Sequence, residues 1–214
     1  MTDWRVLEQK QYRRATWKNG LGHTDEIAIY PPGSELKRAD FLFRLSSAEI
    51  AQNSPFSVFP DHDRVLIILK GQGIRLKHQF EEDAEPDFAE LRPLELYEFP
   101  GDIPSECELL SGPIRDFSLF LRKGHLECSV EVITTHGDDY QWRPSGRWNF
   151  VYSIDSSITC ESPDQKQTSI LEAGDTLQVE LEKPLAENET IRLHGTGPAQ
   201  LILINLYESH RPSF

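Results

Sequence analysis

Short apolar runs rich in β-branched and aromatic residues, the signal of β-strands, recur almost everywhere along this chain between polar stretches, and windows with the 3.6-residue period of an amphipathic helix are nearly absent. In Phe41-Leu42-Phe43-Arg44-Leu45-Ser46 the two-residue period of a strand puts Phe41, Phe43 and Leu45 on one face and Leu42, Arg44 and Ser46 on the other. The same reading predicts strands over 26–30, 41–48, 65–69, 74–78, 95–99 and 106–110, then over 116–122, 129–134, 149–154, 176–181, 190–193 and 200–206. Gly, Pro, Asn and Asp punctuate the intervals, and Lys70-Gly71-Gln72-Gly73 predicts a hairpin joining 65–69 to 74–78. The fold class is all-β.

A faint internal echo divides the chain. Strand, turn, strand, loop and then Phe99-Pro100-Gly101-Asp102 is answered by strand, turn, strand, loop and Glu172-Ala173-Gly174-Asp175. The first copy is longer by a loop that contains Glu81-Glu82-Asp83-Ala84-Glu85-Pro86-Asp87, whose like charges and proline favour a solvated excursion. Two similar β-modules in tandem, meeting near Gly112-Pro113, account for the length.

Charge removes several classes of partner. With 22 basic against 35 acidic residues the formal charge is -13, which repels nucleic-acid phosphates and anionic lipid. No apolar run reaches membrane-helix length, and Met1-Thr2-Asp3-Trp4-Arg5 lacks a signal pattern, so the expected location is the cytoplasm. Cys107, Cys128 and Cys160 are isolated and odd in number, which predicts reduced thiols without a zinc site or a disulfide framework.

Chemistry is concentrated in the first half. Thr16-Trp17-Lys18-Asn19-Gly20-Leu21-Gly22-His23-Thr24-Asp25-Glu26 packs a ring, an ammonium, an amide, glycines, hydroxyls and carboxylates into one stretch that leads into a strand. Glycines let the backbone approach a ligand, and Lys18, Asn19, Thr24 and Glu26 supply donors and acceptors for a small polar molecule; a tight turn before an edge strand is the plainer reading. Arg44 stands among apolar neighbours and needs an anion, either Glu26 or a ligand carboxylate. Arg64 poses the same question, with Asp61 and Asp63 as internal candidates. Trp17 could wall a pocket, and Trp148 reads as core. His62 has no second histidine at metal-ligand spacing, so no metal or other cofactor is expected and His62 reads as a surface residue. Nucleophile elbows and phosphate loops are missing too.

Taken in order, Trp17-Lys18-Asn19-Gly20-x-Gly22-x-Thr24-x-Glu26-Ile27-Ala28, Arg44-Leu45-Ser46-x-Ala48, Pro55-Phe56-Ser57-x-Phe59-Pro60, Asp63-Arg64-x-Leu66 and Asp116-Phe117-Ser118 resemble the signature of the HutD/Ves family. The resemblance implies a bicupin, two tandem cupin-type β-barrels of the RmlC-like jelly-roll kind. The first would span residues 1–112 and hold the ligand pocket, and the second, degenerate, residues 113–214. It also implies a histidine-utilisation or stress-induced setting and a small acidic ligand such as urocanate or formylglutamate. Leu21 and Ser118 depart from the family's usual Gly and Asn.

These readings converge on metal-independent binding of a small carboxylate metabolite in a regulatory or accessory role. Arg44 and Arg64 would hold the carboxylate, Lys18 would add charge, Asn19, Thr24, Glu26, Ser46 and Ser57 would orient it, and Trp17 and Phe59 would exclude water. The alternative is an isomerase or lyase with Glu26 and Lys18 as acid-base groups, so the residues leave catalysis open. Exposed β edges also leave room for a homodimer.

Overall fold

The computed structural model describes residues 2–16, 22–81 and 83–209. Among them are nineteen strands, two single 3₁₀ turns and no α-helix. In chain order the strands are β1 (Thr2–Leu7), β2 (Arg13–Thr16), β3 (Gly22–Tyr30), β4 (Phe43–Ile50), β5 (Ser54–Pro55), β6 (His62–Lys70), β7 (Ile74–His78), β8 (Asp87–Leu91), β9 (Leu96–Pro100) and β10 (Ser105–Leu109). There follow β11 (Ile114–Arg122), β12 (Leu126–His136), β13 (Tyr140–Trp142), β14 (Trp148–Ser153), β15 (Ile158–Glu161), β16 (Thr168–Leu171), β17 (Thr176–Leu181), β18 (Ile191–His194) and β19 (Pro198–Glu208).

Two compact units result. The unit from Arg13 to His125 has a six-stranded sheet, β2-β3-β4-β11-β6-β9, and a four-stranded one, β5-β10-β7-β8. Ile50, Leu66, Ile68, Ile74, Leu76, Leu91, Phe99, Cys107 and Ile114 form a core contributed by both sheets. The other unit has sheets β1-β17-β14-β19-β12 and β13-β18-β15-β16 around Val151, Ile158, Leu177, Val179, Leu193 and Leu201. A pair of antiparallel sheets closing on one apolar core is the jelly-roll solution for strands with alternating faces. Trp148 is buried, as its sequence context predicts.

The units do not follow the division at Gly112-Pro113. Their limits fall after Tyr12 and after His125. β11 lies between β4 and β6, where Phe117, Leu119 and Leu121 are buried on one face and Asp116, Ser118 and Phe120 on the other. A strand buried on both faces belongs at the centre of a sheet. At the other limit β1 pairs with β17 rather than with the first half, and Trp4 Nε1 donates to Ser169 Oγ at 2.8 Å.

The turn at Lys70–Gly73 also differs from the expected hairpin. β6 pairs with β11 and β9, whereas β7 pairs with β10 and β8, so the turn carries the chain from one sheet to the other. Gly73 makes that change of direction with φ +109°, and a Cβ there would lie 2.2 Å from the backbone oxygen of Leu91. Substitution therefore forces both a strained backbone and a clash. Gly73→Ala is expected to lose about 1–3 kcal/mol, read as a lower urea midpoint with an unchanged slope.

Candidate functional site

Three neighbouring strands of the first-described unit change character along a single face. On β4 the face reads Ile50, Ala48, Ser46, Arg44; on β11 Ile114, Asp116, Ser118, Phe120; on β6 Ile68, Leu66, Arg64, His62. Register aligns them: Ala48, Asp116 and Ile68 share one cross-strand row, Ser46, Ser118 and Leu66 the next, and Arg44, Phe120 and Arg64 a third. The result is an apolar floor that gives way to a buried charged nest. β3 adds Glu26 opposite Ser46 and Thr24 opposite Ala48, just before an irregularity in register between Glu26 and Ala28.

Arg44 Nε donates to Glu26 Oε2 at 2.9 Å and Nη1 to Ser46 Oγ at 3.0 Å. The internal partner foreseen for Arg44 is thus present. Glu26 meets a second guanidinium, Arg13, at 3.0 Å. Burial pulls Arg44 below the ordinary arginine value, and Glu26 opposes the change.

Arg64 does not pair with Asp61 or Asp63. It turns inward, and Nη2 donates to Ser118 Oγ at 2.8 Å and, more loosely, to Asp116 Oδ2 at 3.4 Å. The guanidinium lies 4.0 Å from the ring centre of Phe56, 5.1 Å from that of Phe120 and 5.6 Å from that of Phe99. Desolvation lowers it to about 10, with Asp116 opposing, which leaves it cationic at neutral pH. Arg64 is only 7% exposed, yet its Nε–H has no hydrogen-bond partner among the described residues. A buried charged donor left unmade is costly, and sites of this kind call for an explanation.

Asp116 is held in place through Oδ1, which accepts the Ala48 amide at 2.8 Å. Burial raises its proton affinity above the usual carboxylate range, while Arg64, the Ala48 amide, Arg115 and Arg44 pull the other way. Nearby Cys107 is pushed up to about 12 by burial, so it stays an uncharged thiol.

The remaining candidates divide. Phe59 packs against Phe120 at 4.6 Å between ring centres and lines the same wall one ring away from Arg64. Ser57 is exposed in the loop after β5. Trp17, Lys18 and Asn19 lie outside the described residues. His62 is no surface residue: it is fully buried, its Nδ1 2.7 Å from the Pro60 oxygen and its Nε2 3.0 Å from the Phe41 oxygen. Its position on β6 two residues before Arg64 turns it inward with that arginine. Among the described residues no three His, Cys, Asp or Glu side chains gather as a metal site.

Phe56, Phe99, Asp116, Ser118 and Phe120 were not among the candidate ligand contacts. A signal did exist for three of them, because Asp116, Ser118 and Phe120 alternate on one face of an otherwise apolar strand. On the opposite face Asp25, 1% exposed, binds Arg14 through two hydrogen bonds of 2.7 and 2.9 Å and Arg115 at 2.8 Å. That network ties three strands together. The other unit contains a cavity of about 430 Å³ with Trp4, Val179, Leu181, Leu185 and Ile191 in its wall, and its charged residues, Asp164, Lys166 and Glu189, are all exposed.

Paired antiparallel sheets in each unit, with one polar interior, define a bicupin. Its resemblance to the Bacillus subtilis oxalate decarboxylase, at 9% identity and TM-score 0.66 over 97% of this chain and 78% of that one, shows the shared fold alone. The chain belongs to the HutD family, whose model matches residues 9–201. HutD from Pseudomonas fluorescens SBW25, solved in a formate condition, is similar at 28% identity and TM-score 0.76, over 96% of this chain and 99% of that one. A conserved Pseudomonas aeruginosa PAO1 protein of unknown function matches at 29% and 0.82, over 96% and 99%. An uncharacterized 21.2 kDa Pseudomonas putida protein encoded in the hutC 3' region is 37% identical over 119 residues, which cover 56% of this chain and 58% of that protein. No helix among the described residues is long and apolar enough to cross a membrane.

Proposed function

We propose that the nest around Arg64 binds the carboxylate of a small metabolite, without a metal, and that the ligand is an acid of histidine breakdown such as urocanate or formylglutamate. The observation that carries this reading is the Nε–H of the buried Arg64, which has no hydrogen-bond partner among the described residues. A carboxylate beside that edge of the guanidinium would fill the missing hydrogen bond and could share Nη2 with Ser118, the side-on fork geometry that arginine offers to carboxylates. Phe56, Phe99 and Phe120 keep the surroundings apolar, which strengthens a charge-assisted hydrogen bond once it forms. Membership of the HutD family and the hutC-region relative support the choice of histidine-pathway acids. A catalytic role would ask Glu26 to serve as a base, although two guanidiniums already hold its carboxylate. Binding makes use of the unfilled donor and asks nothing of Glu26.

Calorimetric titration with urocanate, formylglutamate and the neutral amide of urocanate tests the proposal. Saturable one-to-one binding of at least one acid, with the amide inert, is the expected result. Equal responses to acid and amide, or no saturable heat from either acid, would overturn it.

A further inference from the structure

We propose that the nest takes up one proton with each carboxylate it binds, and that Asp116 receives it; this rests on the anion-binding reading above. The argument starts from charge balance. Arg44 and Arg64 bring two buried cations, and Glu26 and Asp116 bring two carboxylates that neutralise them; the third guanidinium, Arg13 on Glu26, is 67% exposed and screened by solvent, so it adds little to the balance inside. A ligand carboxylate adds a third negative charge to a site with little access to water, where an uncompensated charge is strongly disfavoured. A proton drawn from solvent onto one of the two resident carboxylates restores the balance, with no electron transfer and no bond to the ligand made or broken.

Geometry selects which carboxylate yields. Glu26 has Arg44 at 2.9 Å and Arg13 at 3.0 Å, and its side chain retains 10% exposure. Among the described residues Asp116 has one guanidinium within ion-pair distance, Arg64 at 3.4 Å, and its side chain is 2% exposed. A ligand at Arg64 competes for that same guanidinium, so the weaker resident partner loses most. The proton has a place to go: Oδ1 is committed to the Ala48 amide, whereas Oδ2 becomes a hydroxyl free to donate to a ligand oxygen.

The ionisable surroundings agree. Arg64 on β6 and Arg44 on β4 share the face of Asp116, and Arg115, next to it on β11, acts on it from the opposite face; Glu26 on β3 lies beyond Arg44. Cys107 on β10 remains an uncharged thiol. Burial already shifts Asp116 toward its protonated form before any ligand arrives, with Arg64 the chief opposing influence. Proton uptake on binding means that affinity falls as pH rises, by up to about tenfold per pH unit while the free protein holds Asp116 ionised.

Formylglutamate is a suitable probe because it titrates no group of its own near neutrality. Titrating the full chain between about pH 6 and 8 in buffers of different ionisation enthalpy gives the number of protons exchanged, expected to approach one taken up per ligand. Asp116→Asn mimics the neutral acid, so it is expected to bind with no proton uptake and a flat pH profile. Should that variant fail to fold, the wild-type proton number decides the coupling and Glu26→Gln the assignment: uptake that persists there leaves Asp116 as the acceptor, and uptake lost there overturns it. Saturable binding without uptake overturns the proton coupling and leaves anion binding standing. Uptake that persists in Asp116→Asn overturns the assignment to Asp116. An absence of saturable heat with formylglutamate and with urocanate alike overturns both proposals.

Discussion

Arg64→Met is expected to lower carboxylate affinity by about 2–5 kcal/mol, which in practice removes saturable binding from a titration that detects it in the wild type. Methionine keeps a stem of similar length to fill the space among Phe56, Phe99 and Phe120, so the loss reports the guanidinium more than a cavity. The substitution has a second effect. Asp116 keeps its contact with the Ala48 amide but loses its nearest cation, and breaking a buried pair by removing one partner costs about 3–5 kcal/mol at neutral pH. In a chain of this size that corresponds to a fall in Tm of roughly 2–4 °C per kcal/mol.

The pH dependence follows from the direction in which burial moves Asp116. A carboxyl whose proton affinity is raised in the folded state binds its proton more tightly folded than unfolded, so its ionisation weakens the fold as pH rises through the folded value. Loss of Arg64 removes the chief opposing influence and enlarges this effect. The stability gap between Arg64→Met and wild type should therefore narrow on acidification from pH 7 toward the ordinary carboxylate range near about 4. A gap that stays constant, measured by urea unfolding at each pH, would show that Asp116 does not carry the lost interaction.

Asp25→Ala is expected to destabilise the unit by about 3–5 kcal/mol without changing the intrinsic preference of the nest for anions. Asp25 sits on the other face of β3 from Glu26, and its removal leaves Arg115 and Arg14 without their shared carboxylate. Arg14 reaches water readily at 60% side-chain exposure, and Arg115 less so at 26%, which places the cost toward the lower end of the range. Burial pushes the Asp25 carboxyl upward, but the Arg14 hydrogen bonds, with Arg115 and His23, hold it below its ordinary value. A depressed carboxyl contributes its stability in full above its unfolded value and loses it as pH falls through the folded one. Wild type and Asp25→Ala should differ by a constant amount near neutrality and converge only in strong acid. Convergence already at pH 5 would contradict the role given to the two arginines.

Much of the fold was legible because a period of two is written locally. Phe43 and Leu45 against Arg44 and Ser46 declare two faces whatever the partner strand, and the family motifs follow from adjacent residues in the same way. Candidate chemistry was legible to the same depth: an arginine amid apolar residues announces that it needs an anion. Its short-range partner was accessible too, since Glu26 and Arg44 lie on neighbouring strands of the same sheet. His62 was misread because a lone polar residue between aspartates resembles a surface position, and only its ladder neighbours reveal the inward face.

By itself, then, the sequence determined that the chain is all-β, that it belongs with the bicupins, and that Arg44 and Arg64 must find negative charge. Tertiary structure decided what periodicity cannot encode: which strands become neighbours. It moved β1 into the sheet that contains β17 and turned Lys70–Gly73 from a hairpin into a crossing between sheets. It also brought Asp116 and Ser118 to Arg64 across 52 and 54 residues of chain. The physical reason is that a strand's side-chain faces are fixed by its own backbone, whereas its partners are fixed by whichever long-range pairing buries those faces together.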